Sequence, residues 1–172
     1  MLGIFTQVCC AYLYGHLLEY FIHKHLLHNR SKKTKWFFAN HFKDHHIVSR
    51  RTDVKDPKYQ GWFANYLKDF ETSKIFFMLI IPLPVALYFP WAYGTIMLSS
   101  LSYYVIHRRT HQDPTWARKN YPWHYEHHMG LNQNCNWGVR TDFFDKVFKT
   151  RKRYIGTDIK VADRRSNIEI VR

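Results

Sequence analysis

The sequence predicts an all-α fold: membrane-embedded helices, one N-terminal helix plus a helical hairpin, carrying a cytosolic, histidine-rich helical cap. Three observations predict it. Two stretches of the 172-residue chain are apolar and nearly free of charge, the charged residues fall in two blocks that follow them, and most of the 12 histidines lie in those blocks at helical spacings. The length suits one domain of ordinary size and is too short for two well-packed ones.

Bulk composition points elsewhere at first. A formal charge of +13 and a sequence pI near 9.8 suggest nucleic acid or an anionic membrane surface as a partner. With 46% hydrophobic and 18% aromatic residues, however, the chain is too apolar for a disordered basic tail. The charge is also segregated. Residues 1–22 hold no Lys or Arg and a single acid, Glu19, and residues 75–106 hold no charged side chain. Residues 23–74 carry 12 basic and 5 acidic side chains, and residues 107–172 carry 14 and 7. Two blocks of +7 beside uncharged segments read as a membrane surface pattern, so no nucleic-acid partner is expected.

The first element is the apolar run LGIFTQVCCAYLYGHLLEYFI, close to the ~20 residues that carry a helix across a bilayer core. It lacks the basic start and small-residue cleavage site of a removable signal peptide. The second run, residues 75–106, contains Pro82, Pro84 and Pro90, which exclude one straight helix. A hairpin turning near Pro90 is expected, with two arms of about 15 residues, each ~23 Å long and short of a full crossing. A hairpin also returns the chain to the side it left, which both histidine blocks require if they build one site. Aromatic flanks and the positive-inside tendency put that site at the cytosolic face of an integral membrane protein. Cys9, Cys10 and Cys135 are odd in number, two of them adjacent, and exclude a disulfide scaffold.

The histidines form four clusters: His23 and His28; His41, His45 and His46; His107 and His111; His124, His127 and His128. On a helix, residues three or four apart share a face. His41 with His45, His107 with His111, and His124 with His127 and His128 can therefore each converge on one ion. Adjacent histidines diverge by about 100°, so the pairs His45/His46 and His127/His128 suit two neighbouring ions. His23 and His28 diverge by about 140° on an ideal α-helix, leaving open whether they serve different ions, whether His28 lies past the helix end, or whether His25 replaces it. Ten imidazoles exceed one coordination sphere and imply two ions. Imidazole suits Fe, Zn, Cu and Ni alike, and the absence of cysteine from the clusters excludes Cys-rich zinc and iron–sulfur sites.

Other polar residues have weaker signals. Glu19, four residues before His23, is placed to hydrogen-bond its ring. Asp44, Glu126 and Asp145 read as solvated carboxylates, His16 as a hydrogen-bonded membrane histidine, and Tyr103 and Tyr104 as interfacial aromatics. No serine-nucleophile, phosphate-loop or dinucleotide motif is present, so electrons must come from a separate carrier.

The boxes HKHLLH, HFKDHH, HRRTH and HYEHH, the apolar hairpin between the second and third, and the closing segment NWGVRTDFFDKVFKT (residues 136–150) resemble the membrane-bound histidine-box oxygenases of the fatty acid hydroxylase and sterol desaturase superfamily. The second box has three residues before its paired histidines, where that superfamily more often has two. The resemblance implies one hydroxylase-like domain over residues 1–150 and a basic tail over 151–172, partly extended. It implies two non-haem Fe ions, with Zn as a possible substitute in purified material, held by His23, His28, His41, His45, His46, His107, His111, His124, His127 and His128. It implies O2 as co-substrate and a membrane lipid, a fatty acyl chain first, as the molecule hydroxylated. Carotenoid ring hydroxylation, sterol oxidation and non-catalytic metal binding are the other readings. The electron donor implied is external, a cytochrome b5 or ferredoxin with its reductase, and a basic face suits an acidic carrier.

Overall fold

The first apolar run folds as α1 (Ile4–Phe21), and its last turn continues into a π-helical turn, Ile22–Leu27. The structure, a computed structural model, describes residues 3–28, 41–61, 80, 82–155, 160–161 and 169–170. Residues 75–79 and 81, in the expected first arm of the hairpin, lie outside the described residues.

A second π-helical turn, His41–His46, runs into α2 (Ile47–Arg51) and a 3-10 turn, Pro57–Tyr59, capped by the Asp56 carboxylate. α3 (Leu83–Tyr88) ends before Pro90, which opens α4 (Pro90–Gln112). Proline is favoured at a first helical position, where its missing N–H costs nothing. The break therefore falls where the prolines predict it. The second arm does not stop after about 15 residues: α4 runs for 23, ~35 Å at 1.5 Å per residue, and carries His107 and His111 on its last turns. Two short helices follow, α5 (Pro114–Asn120) and α6 (Pro122–Met129), each opened by a proline. After an irregular stretch comes α7 (Phe143–Val147). Beyond it the described backbone includes an antiparallel pair of two-residue strands, β1 (Lys160–Val161) and β2 (Glu169–Ile170).

α1 packs most extensively against α4, and the two run in the same direction. A cleft of about 490 Å³ lies between Thr6–Tyr14 of α1 and Phe89–Ile96 at the start of α4, with Pro82 and Val85 beside it. One turn further on, Gly15 faces Ser99, so closely that an added Cβ would fall 2.6 Å from the Ser99 hydroxyl. Both helices thus deliver their C-terminal ends, and the histidines there, to one place.

What α4 buries is polar: Ser99, Ser100, Tyr104, His107, Thr110 and His111. What it exposes includes Leu98, Leu101 and Val105, a single face by the three-and-four spacing of a helix. α1 likewise buries His16, Glu19 and Tyr20 and exposes Phe5, Tyr12 and Leu13. Among the described residues no helix is long and apolar enough to cross a membrane. The conventional apolar core is small, Val54, Ala117, Tyr125 and Met129 with Ile155 against them; most of the largest fully buried side chains are histidines.

Candidate metal centre

The ten box histidines come together in the interior, none more than 7% exposed. They separate into two groups whose ligand atoms lie within 4.8 Å of one another: His23, His28, His46 and His127 in the first, His45, His107, His111 and His128 in the second. Each group can hold a metal ion. As their divergence on a helix predicts, His45/His46 and His127/His128 each split between groups. The stacked rings of His46 and His128, with centroids 4.3 Å apart, make the two groups neighbours. His107 and His111 share a group as expected. His41 joins neither four-membered group and packs beside His45 at 4.9 Å and His46 at 5.0 Å. His124 likewise stands outside both, its Nε2 3.2 Å from His111 Nε2.

The five-residue spacing of His23 and His28 is resolved by backbone form. In a π-helix the hydrogen bond runs from residue i to i+5, and the His28 N–H donates to the His23 carbonyl at 3.2 Å. The two rings meet with centroids 5.1 Å apart, so the 140° divergence of an ideal α-helix does not apply. His25 is exposed and stacks on Phe21 instead. The second π-helical turn absorbs the extra residue of the second box in the same way: His41 and His46, also five apart, face one another.

Five of the rings are oriented from behind. His23 Nδ1 donates to the Trp137 carbonyl, His127 Nδ1 to that of Cys135, and His111 Nδ1 to that of Val54, each at 2.6 Å. His45 Nδ1 donates to the Asp56 carboxylate at 2.7 Å, and the Tyr59 hydroxyl stands 3.4 Å from His107 Nδ1. A proton held on Nδ1 leaves the Nε2 lone pair for a metal. The His23 and His45 Nε2 atoms are buried with no hydrogen-bond partner, as are both ring nitrogens of His128. Unpaired buried nitrogens are costly unless something else fills their lone pairs, and a cation does. Burial first, and then the neighbouring His41, holds His23 far below the usual histidine range, at about 3. Burial and adjacent imidazoles likewise hold His46, His124, His127 and His128 well below it. These five rings are therefore neutral, and with the unpaired nitrogens they make a lone-pair-rich donor set that fits divalent transition metals.

Several expectations are corrected. Glu19 does not bind His23; it accepts from the Val139 N–H at 2.5 Å, the Arg140 N–H at 3.1 Å and Arg140 Nε at 2.6 Å. A carboxylate buried in an apolar helix needs a cation, and the closing segment supplies one. Glu126 and Asp145 are not solvated but buried. Glu126 accepts from the Tyr154 and Ile155 N–H groups and from Arg151. Asp145 accepts from the Trp137 and Gly138 N–H groups and the Thr150 hydroxyl. His16 is buried with neither ring nitrogen hydrogen-bonded. Tyr104 is buried, and Tyr103 stacks on His107 rather than standing at an interface. The Asp44 side chain lies outside the described residues.

The closing segment is therefore a frame for the first group. The Trp137 carbonyl within it and the Cys135 carbonyl just before it hold two imidazoles, and left-handed Asn136 (φ 57°) sets the turn between them. A Cβ on Gly138 would overlap the Thr141 carbonyl oxygen. The second group has its own frame, unforeseen from the sequence: Asp53 and Val54 both have positive φ, costly for a β-branched residue, and the Val54 carbonyl meets His111. An Asp before Pro57 signals a capped turn, but nothing in the sequence says that the same carboxylate holds His45.

No curated protein and no solved structure matches the chain. The family description Fatty acid hydroxylase matches residues 8–150, a span that includes all ten clustered histidines, both frames that hold their rings, and most of the helices that bring them to one end. The chain belongs to the fatty acid hydroxylase family.

Proposed function

We propose that this chain is a membrane-bound diiron oxygenase that hydroxylates a C–H bond of a lipid, a fatty acyl chain first. The observation that carries the reading is the pair of adjacent, buried four-histidine groups in a chain of this family. Two irons would supply O2 reduction and the oxidising power that an unactivated C–H bond requires. His23, His28, His46 and His127 would hold one and His45, His107, His111 and His128 the other, with His41 and His124 completing the cage. The chain's own contribution is orientation and exclusion of water: carbonyls and Asp56 hold the Nδ1 protons, and the rings sit away from solvent. One oxygen atom enters the C–H bond and the other leaves as water, so two electrons and two protons are consumed.

The inverted pattern of α1 and α4, polar inside and apolar outside, supports residence in lipid, since exposed apolar faces mark contact surfaces and polar residues within a bilayer face the protein interior. The exposed basic residues Arg51, Arg109 and Lys119 near the histidine end favour a cytosolic orientation for the site and an acidic electron carrier such as cytochrome b5 or ferredoxin. The test is lipid profiling by mass spectrometry in a host expressing the wild type beside a His127→Ala variant. A hydroxylated acyl lipid is expected with the wild type alone. Oxidised carotenoid or sterol would redirect the substrate, and no new lipid from a metal-loaded, reduced protein would favour non-catalytic metal binding.

A further inference from the structure

Three buried carboxylates away from His45 are each compensated within the protein. Glu19 is paired with Arg140, and Glu126 with Arg151. Asp145 is held by two backbone N–H groups and a hydroxyl. Asp56 differs. It is 1% exposed, and among the described residues its side chain accepts from two groups, His45 Nδ1 at 2.7 Å and the Lys58 N–H at 3.0 Å. Among the described residues its one potentially cationic partner is the imidazole of a candidate ligand.

The first group is backed less directly. The Trp137 carbonyl accepts from His23 Nδ1, and the N–H of that same peptide unit, Gly138, donates to Asp145 Oδ2 at 2.8 Å. A carboxylate thus reaches His23 only through a polarised peptide, and His127 rests on a neutral carbonyl. A carboxylate on the far nitrogen of a metal-binding imidazole makes the ring a stronger base, and removing such a partner costs about 10–100-fold in metal affinity.

We infer that the two metal positions are inequivalent, and that the His45, His107, His111 and His128 position, backed directly by Asp56, binds its ion the more tightly and fills first. Asp56 acts as a positioning residue through His45. The inference rests on the metal-centre reading above and extends it to order of loading. It also assigns Asp56 a balancing role: the charge that Glu19 and Glu126 share with arginines, Asp56 shares with a divalent ion through one ring.

Repulsion between two bound ions would itself split a titration into two steps, so the decisive comparison uses proteins that keep one position each. The full chain in detergent, stripped of metal, is titrated with Co(II) against a competing chelator and followed by its visible absorption. His127→Ala, which leaves the Asp56-backed group intact, is expected to bind one Co(II) about 10–100-fold more tightly than His107→Ala, which leaves the other. Adding Asp56→Asn to His127→Ala should remove that advantage while helicity and thermal transition persist, because the asparagine oxygen still accepts the Nδ1 proton without charge. Adding Asp56→Asn to His107→Ala should change nothing. Equal Co(II) affinities in the two single-position proteins, or an equal effect of Asp56→Asn on both, would overturn the ordering and leave the metal reading standing. No Co(II) bound by the wild type would overturn the metal reading itself.

Discussion

The two ends of the α1–α4 pair are built from the same helices by opposite rules. At the N-terminal end the helices part around an apolar cleft, and Phe5 of α1 and Leu87 of the adjoining α3 are more than 80% exposed. At the C-terminal end most buried groups are polar, and several are tied across the structure: Glu19 to Arg140, Arg140 to Ser99 and Ser102, His23 to Trp137. The difference teaches that this fold does not rely on a large apolar core at its functional end. Its interior there is a set of lone pairs and charges that are satisfied only together.

The sharpest way to break the contrast is to remove a ligand. His127→Ala empties one corner of the first group and leaves the Cys135 carbonyl without its donor. Product formation is expected to fall to background and metal content from about two ions toward one, read by mass spectrometry and elemental analysis. The same substitution at His25, exposed and outside both groups, should leave both readouts unchanged.

Acid should act next most strongly, and only on one end. His46, His124, His127 and His128 are held by burial well below their unfolded value near 6.5, and His23 at about 3. Between those values the unfolded chain binds more protons than the folded one, so stability is fully present above pH ~6.5 and is lost as pH falls toward 3, by about 1.4 kcal/mol per pH unit for each such group. Denaturation of the metal-free protein at stepped pH should show that slope, and bound metal should steepen it, since protons and ions compete for the same nitrogens. A stability flat between pH 7 and 5 would contradict the neutral cage.

Glu19→Ala tests the polar ties of the C-terminal end. It strands the Arg140 guanidinium, 6% exposed, and frees the Val139 and Arg140 N–H groups, so a loss of about 3–5 kcal/mol is expected. Glu19→Gln, which keeps an acceptor, should cost less. Both are read by chemical denaturation in detergent, with metal content following stability, because the segment that Glu19 pins also carries the Trp137 carbonyl.

Much of this was legible in the sequence because it is periodic. The break at Pro90, the clustering of ten histidines, and the division of His45 from His46 and of His127 from His128 all follow from proline geometry and 100° per residue. What escaped was non-helical or non-local. The π-helical turns at His23–His28 and His41–His46 change the angle that α-helical arithmetic assumes. Glu19, Asp56, Glu126 and Asp145 find partners 120, 11, 25 and 8 residues away, and no local spacing distinguishes such carboxylates from solvated ones. Carbonyl anchors at Val54, Cys135 and Trp137 are invisible to any reading by side-chain type.

The smallest expected effect belongs to the apolar end, and it isolates what that end does. Leu98 and Leu101 are 69% and 57% exposed on the outer face of α4, away from the buried Ser99, Tyr104 and His107. Lysine at either position touches none of the tied groups, so in detergent the Co(II) stoichiometry and thermal transition should stay close to wild type. If that face meets hydrocarbon, each lysine costs up to about 2.5–3.5 kcal/mol of insertion, less where the side chain reaches the interface. Flotation with liposomes should then fall in the double variant while metal binding holds. Unchanged flotation would mean that these leucines face something other than lipid, and the inverted pattern of α4 would then have to be explained by a protein partner covering it.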